Sequence, residues 1–242
     1  MSEASEMMQD YQQDKKSINR SPWLSQLFEV LVFLFLIVPS MVMSFFTSAQ
    51  GSGNFLLMVF AIILRDLALL SLVLYFIWRN NETFSSIGLT SKGIGKEVFI
   101  GLLLYVPFFY VTAFLDLLFQ HAGLSGTTKT PSYMGASNMI EYLLAFVMVV
   151  VVAFAEEIIF RGYLILRFGY LTRNVFVAIL VSTVVFAIGH GYEGSAGVAT
   201  VAFMGFTFAS IYIWRGSLVA PIVMHFMQDF IGVVIIPLLG IK

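Results

Sequence analysis

Long apolar runs, broken by short polar stretches, dominate the chain from residue 23 to its end. A helix that crosses a bilayer needs about 20 mainly apolar residues. Seven runs qualify as candidates: 23–46, 55–78, 98–119, 140–168, 175–189, 198–214 and 218–239. The fifth and sixth are short, and the fourth is long enough to tilt or protrude. A break near Pro237 would split the last run and create an eighth span. The connections 80–97 and 121–138 are polar and glycine-containing, and no internal repeat or low-complexity tract is present. The pattern predicts an all-α fold: a polytopic transmembrane helical bundle of seven (or eight) helices around an intramembrane cavity. Three parts follow from it: a polar N-terminal tail over 1–21, membrane helices over 22–139, and a chemistry-bearing core over 140–242.

Composition narrows the function classes. Hydrophobic residues make up 59% of the chain and charged residues 11%, against roughly 25% charged in an ordinary soluble domain. A formal net charge of −1 leaves no basic patch for a nucleic-acid partner. The absence of cysteine excludes disulfides, thiol nucleophiles and cysteine zinc sites. The polar tail lacks the short apolar region of a cleavable signal peptide, so the first helix is expected to be a retained signal anchor. With the N-terminus in the cytoplasm, Lys15, Lys16, Arg20, Arg79, Lys92, Lys96, Arg167, Arg173 and Arg215 fall on the inner side, and only Lys129 and Lys242 on the outer. The positive-inside rule therefore predicts a multi-pass membrane protein with a cytoplasmic N-terminus.

Ionisable groups at membrane depth are costly, so they face a protein interior and pair with something. The densest set lies in the second half. Glu156 and Glu157 are adjacent on the fourth helix and point about 100° apart. Glu157 and Arg161 stand at i, i+4 in the favourable order for an ion pair, which leaves Glu156 in need of another partner. His190 ends the fifth run. Counted from the turn between the fourth and fifth helices, Glu156 and His190 lie at similar depths, roughly 22 and 28 Å. His225 and Asp229 share a face of the last helix. Arg65 and Asp66, in mid-span, are expected to pair with Glu29 or Asp116 on neighbouring helices. A buried carboxyl beside an imidazole suits activation of a water, and a second histidine can serve a developing oxyanion. No Gly-x-Ser-x-Gly elbow supports a serine nucleophile.

Glu156-Glu157-x-x-x-Arg161, Phe186-x-x-x-His190 and His225-x-x-x-Asp229, in this order, resemble the CAAX protease and bacteriocin-processing family of glutamate-dependent intramembrane proteases. The segment Glu-Glu-Ile-Ile-Phe-Arg-Gly at 156–162 and the stretch from Gly216 through Pro221 to His225 carry the same likeness, which covers about residues 140–239. The resemblance implies an endopeptidase that acts on a membrane-associated, prenylated or leader-bearing peptide. It implies Glu156 as general base with His190 on the attacking water, and His225 with Asp229 at the oxyanion. Glu157 and Arg161 would be a supporting pair, and Phe186 would pack the His190 helix. The family's prenyl-protein proteases typically carry Asn where this chain has Asp229, and an ionised Asp would orient or charge His225 instead of donating. No cofactor is required on this reading; a divalent metal such as zinc, held by Glu156, His190 and His225, is the alternative. The expected partners are a peptide or lipidated protein substrate and the lipid bilayer. A non-catalytic scaffold or immunity-type protein and a proton-coupled transporter are the competing functions.

Overall fold

The computed structural model describes residues 23–44, 54–126 and 135–240. The polar tail, Lys129, Lys242 and the end of the first predicted span lie outside the described residues. Seven helices follow one another: α1 (Trp23–Ser44), α2 (Phe55–Arg79), α3 (Ile94–His121), α4 (Met139–Thr172), α5 (Val175–Ile188), α6 (Gly194–Arg215) and α7 (Val219–Leu238). Six are long and apolar enough to cross a membrane; α5, with 14 residues, is not. Its rise of about 21 Å is well short of the hydrocarbon thickness. The Gly189-His190-Gly191 sequence ends it, and a short 3-10 turn at Gly191–Glu193 leads into α6. Helix α6 starts earlier than its apolar run, because backbone and side-chain hydrogen bonds from Ser195 and Ala196 to Ser125 hold the small residues at its start. Among the described residues no eighth helix follows α7, so Pro237 does not divide the last span.

Polarity is inverted relative to a water-soluble bundle. Large apolar side chains such as Phe35, Leu57, Leu64, Phe99, Leu103, Tyr110 and Phe114 face outward. A continuous apolar exterior of this kind belongs in lipid. The interior mixes aromatics with charge. Phe33, Phe76 and Tyr163 pack α1, α2 and α4 together with ring centroids 5.7 and 6.1 Å apart. Close helix approach rests on glycine: a Cβ at Gly101 would stand 2.9 Å from the Ala220 carbonyl oxygen, so α3 and α7 touch backbone to side chain there.

One end of the bundle is tied by an arginine-rich collar. Arg79 and Asn80 bond Glu29. Arg167 makes a two-pronged contact with Glu82 at 2.8 and 2.7 Å, and Arg215 does the same with Glu97 at 3.2 and 2.6 Å. These bonds join α1, α2, α4, α6 and the start of α3. They also correct one expectation. Glu29 is level with Arg79, about 21 Å along α2 from Arg65, and Asp116 accepts from its own helix neighbour Gln120. Neither partners Arg65 or Asp66, which instead pair with each other at 2.8 Å.

Hydropathy did not predict one feature of α4. Between two α-helical parts, residues Glu157–Leu164 form an eight-residue π-helical segment. Wider turns of this type are rare and are frequent at functional places. Two contacts accommodate it. The Ser182 hydroxyl of α5 donates to the Phe160 carbonyl at 2.6 Å. Gly162 admits the loop before α3, since a Cβ there would lie 2.8 Å from the Ile87 carbonyl oxygen.

Candidate active site

The π-helical segment turns Glu157 and Arg161 fully inward. Arg161 Nη1 is 2.9 Å from Glu157 Oε1, and both side chains are almost completely buried. The guanidinium lies over the Phe186 ring, 4.1 Å from its centroid, with Phe208 on another side at 5.4 Å. The same Glu157 oxygen accepts from His225 Nδ1 at 2.8 Å. Arg161, Glu157 and His225 thus form one chain across α4 and α7. The pairing of Arg161 with Glu157 is the one the spacing predicts; the link onward to His225 was not anticipated. It fixes which imidazole nitrogen points where. Nδ1 is held by Glu157, and Nε2 faces Asp229 at 3.4 Å and Glu156 at 3.8 Å.

Glu156, about 100° around the helix from Glu157, approaches His225 from the Nε2 side instead of the Nδ1 side. Arg65 of α2 approaches Glu156 at 3.8 Å, and Glu156 Oε2 accepts no hydrogen bond. His190 sits just beyond the end of α5. Its Nδ1 is 3.1 Å from the Phe186 carbonyl oxygen. A carbonyl only accepts, so Nδ1 carries the proton and Nε2 is the ring's remaining polar atom. The Phe186 ring separates the two imidazoles, with centroids 4.9 Å from His190 and 6.0 Å from His225.

A cavity of about 450 Å³ connects these groups. Glu156, His190, His225 and Asp229 all line it, together with Phe186. Glu157 and Arg161 lie behind its wall. Arg65, Asp66, Tyr192 and Glu193 line it as well. The first two were read from sequence as structural, yet adjacent charges in mid-helix were themselves the signal that α2 faces a polar interior. Tyr192 and Glu193 carried no such signal, because they read as a loop. The remainder of the lining is apolar, with Met41, Met58, Ile62, Met148 and Val152 prominent. A roomy, mostly apolar pocket with a few convergent polar groups suits an extended peptide.

The zinc alternative fares poorly on geometry. Among the described residues no group of three or more His, Asp or Glu side chains could hold a metal ion. His225 already commits Nδ1 to Glu157.

The fold and the cavity define a class: an integral, multi-pass helical membrane protein with a carboxylate–imidazole site buried between α2, α4, α5 and α7. Residues 138–231 match the family model described as type II CAAX prenyl endopeptidase Rce1-like, which agrees with the CAAX-protease resemblance read from the motifs. The matched segment contains each of the seven residues that the motifs single out and omits α1 to α3. No curated protein and no solved structure matches the chain significantly.

Proposed function

We propose that the chain is an intramembrane endopeptidase that hydrolyses a peptide bond with a water activated by Glu156 and His190. The observation that carries this reading is the Glu156 oxygen that accepts no hydrogen bond, in a cavity shared with two histidines. A buried carboxylate without a hydrogen bond is costly, and such groups concentrate where chemistry needs them.

The steps follow from the chain's own atoms. Glu156 takes a proton from the attacking water, and His190 Nε2 orients that water as an acceptor. The carbonyl carbon becomes tetrahedral, and its oxygen gains negative charge. His225 faces acceptors at both ring nitrogens, so its doubly protonated form satisfies both. Its Nε2–H then donates to the oxyanion. Glu157, braced by Arg161, and Asp229 hold the ring in place. Glu156 returns its proton to the leaving amine as the C–N bond breaks. Asp229 is an orienting group in this scheme, since an ionised carboxylate cannot donate. Arg65 stands beside Glu156 at 3.8 Å on the cavity wall.

The test is a peptidase assay on purified protein, with prenylated and unprenylated peptides, with and without chelator. Cleavage is expected to be lost in Glu156→Ala and His190→Ala and to persist in chelator. Full activity in both variants would overturn the mechanism, and loss in chelator would restore a metal.

A further inference from the structure

We propose that Arg65 of α2 is a further catalytic residue: its guanidinium and the His225 imidazole together hold the carbonyl oxygen of the scissile bond, and Asp66 is the positioning residue that aims Arg65. The assignment rests on the peptidase reading above. It places part of the chemistry on a helix outside the family-matched segment.

A shortage of donors around the cavity points to Arg65. Acyl-transfer sites stabilise the oxyanion with preorganised hydrogen-bond donors. Most polar groups of this lining have nothing to give. Ionised Asp66, Glu156, Glu193 and Asp229 only accept. His190 spends its Nδ1 proton on the Phe186 carbonyl, which leaves Nε2 as an acceptor. The Ser40 hydroxyl donates to the Ile37 carbonyl, and the Tyr192 hydroxyl is hydrogen-bonded with Glu193. His225 Nε2 can donate, and it already faces Asp229 at 3.4 Å. Arg65 is the richer source. A guanidinium carries five N–H bonds, and among the described residues only the one on Nε donates a hydrogen bond, to Asp66 at 2.8 Å. The unspent N–H bonds are costly at membrane depth, and a polarised carbonyl oxygen in the cavity supplies the acceptor they lack.

Geometry sets both donors at the base. Arg65 Nη2 is 3.8 Å from Glu156 Oε1, and His225 Nε2 is 3.8 Å from Glu156 Oε2. Neither contact closes to the range of about 2.7–2.9 Å usual for a charge-assisted hydrogen bond, although Arg167 and Arg215 reach 2.7 and 2.6 Å in the collar. Arg65 is therefore more than the counter-ion of Glu156. Buried Asp66 grips its Nε edge, and the Nη edge stands clear of the base. Only a planar fork can be held by one edge and present the other, so lysine is no substitute here. A water within about 3 Å of Glu156, with a carbonyl carbon about 3–3.5 Å from that water, brings the carbonyl oxygen into the space that both nitrogens border. The water oxygen bonds to that carbon as Glu156 takes its proton, and the C=O π pair moves onto oxygen. Arg65 Nη–H and His225 Nε2–H donate to the oxyanion without transferring a proton. The pair returns as the C–N bond breaks, and the amine takes the proton from Glu156.

The test is steady-state cleavage by the purified full chain, with melting in the same detergent. Arg65→Gln removes the fork and its charge. Arg65→Lys keeps a cation beside Asp66, so it carries the test even where Arg65→Gln does not fold. Both variants are expected to lose about 10²–10³-fold in kcat, the usual cost of one oxyanion donor. KM is expected to move less than about threefold, since the contact strengthens only in the transition state. Asp229→Asn places an amide donor beside His225; added to either variant, it is expected to raise kcat at least about tenfold. The proposal is overturned if Arg65→Lys turns over like the wild type, because charge alone then suffices. It is equally overturned if the loss falls on KM alone, or if the double variants are as slow as the single ones. A lower melting midpoint with unchanged turnover per folded molecule also overturns it and makes Arg65 a structural partner of Asp66. A wild-type chain that cleaves no peptide sinks the peptidase reading itself, whereas an active wild type with a fully active Arg65→Lys sinks only the role of Arg65.

Discussion

The chain buries two clusters of charge, and they are finished differently. In the collar, both oxygens of Glu29, of Glu82 and of Glu97 receive hydrogen bonds from arginine or asparagine. In the cavity cluster, Asp66, Glu156 and Glu157 each retain one oxygen without a hydrogen bond. Both clusters join several helices, and both would read as costly on a hydropathy plot. The difference lies in stoichiometry. In the collar every carboxylate oxygen has a donor, so its charges are spent on holding helices together. Around the cavity some do not, and the bare oxygens of Asp66 and Glu156 belong to residues that line a space large enough for a peptide.

The comparison can be broken in graded steps. The largest effect is expected at Glu156→Gln, which removes the proposed base and keeps its shape. Cleavage should fall by roughly 10²–10⁴-fold, the range typical of a general base, while the thermal midpoint in detergent holds or rises. A lower midpoint would mean that Glu156 is structural after all. Next comes Arg167→Met in the collar. Leaving the buried Glu82 carboxylate without its arginine should cost about 3–5 kcal/mol, read as a lower unfolding midpoint. Turnover per folded molecule should be unchanged, and a specific loss of turnover would erase the distinction between the clusters. Gly162→Ala comes third: its methyl group would collide with the Ile87 backbone. Overpacking of this kind costs about 1–3 kcal/mol, visible in the same melting experiment. The smallest effect belongs to Asp229→Asn, an isosteric change at a half-buried orienting group. Cleavage is expected to change by less than about tenfold, below the usual cost of losing a catalytic proton carrier. A collapse as deep as that of Glu156→Gln would make Asp229 a direct participant.

Much of this was legible before any coordinates. Charges inside apolar runs are conspicuous, so Glu156, Glu157, Arg161, His190, His225 and Asp229 stood out, and the i, i+4 rule paired Glu157 with Arg161 and His225 with Asp229 correctly. Hydropathy also located the helices to within a few residues. It also marked the fifth run as short, and α5 has that length, 14 residues ending before Gly-His-Gly. Partners across helices were the weakest inference. Whether Arg65 meets Glu29 or Glu156 depends on axial level and helix rotation, which periodicity within one helix does not encode. The hydrogen-bond register of α4 was equally hidden, since an α-turn and a π-turn can share one composition.

That register has a hereditary consequence. A π-helical stretch amounts to one residue more than an α-helix would need over the same rise. Loss of a single codon between 157 and 164 would let the backbone return to ordinary α pairing, and the helix would survive as a membrane span. The flanking parts would keep nearly their present relation, because the wide turns absorb the extra residue. A deletion between Glu157 and Arg161 would set the two three residues apart instead of four, on a tighter turn behind the cavity wall. A descendant that keeps the span and changes the brace behind His225 is thus one in-frame deletion away.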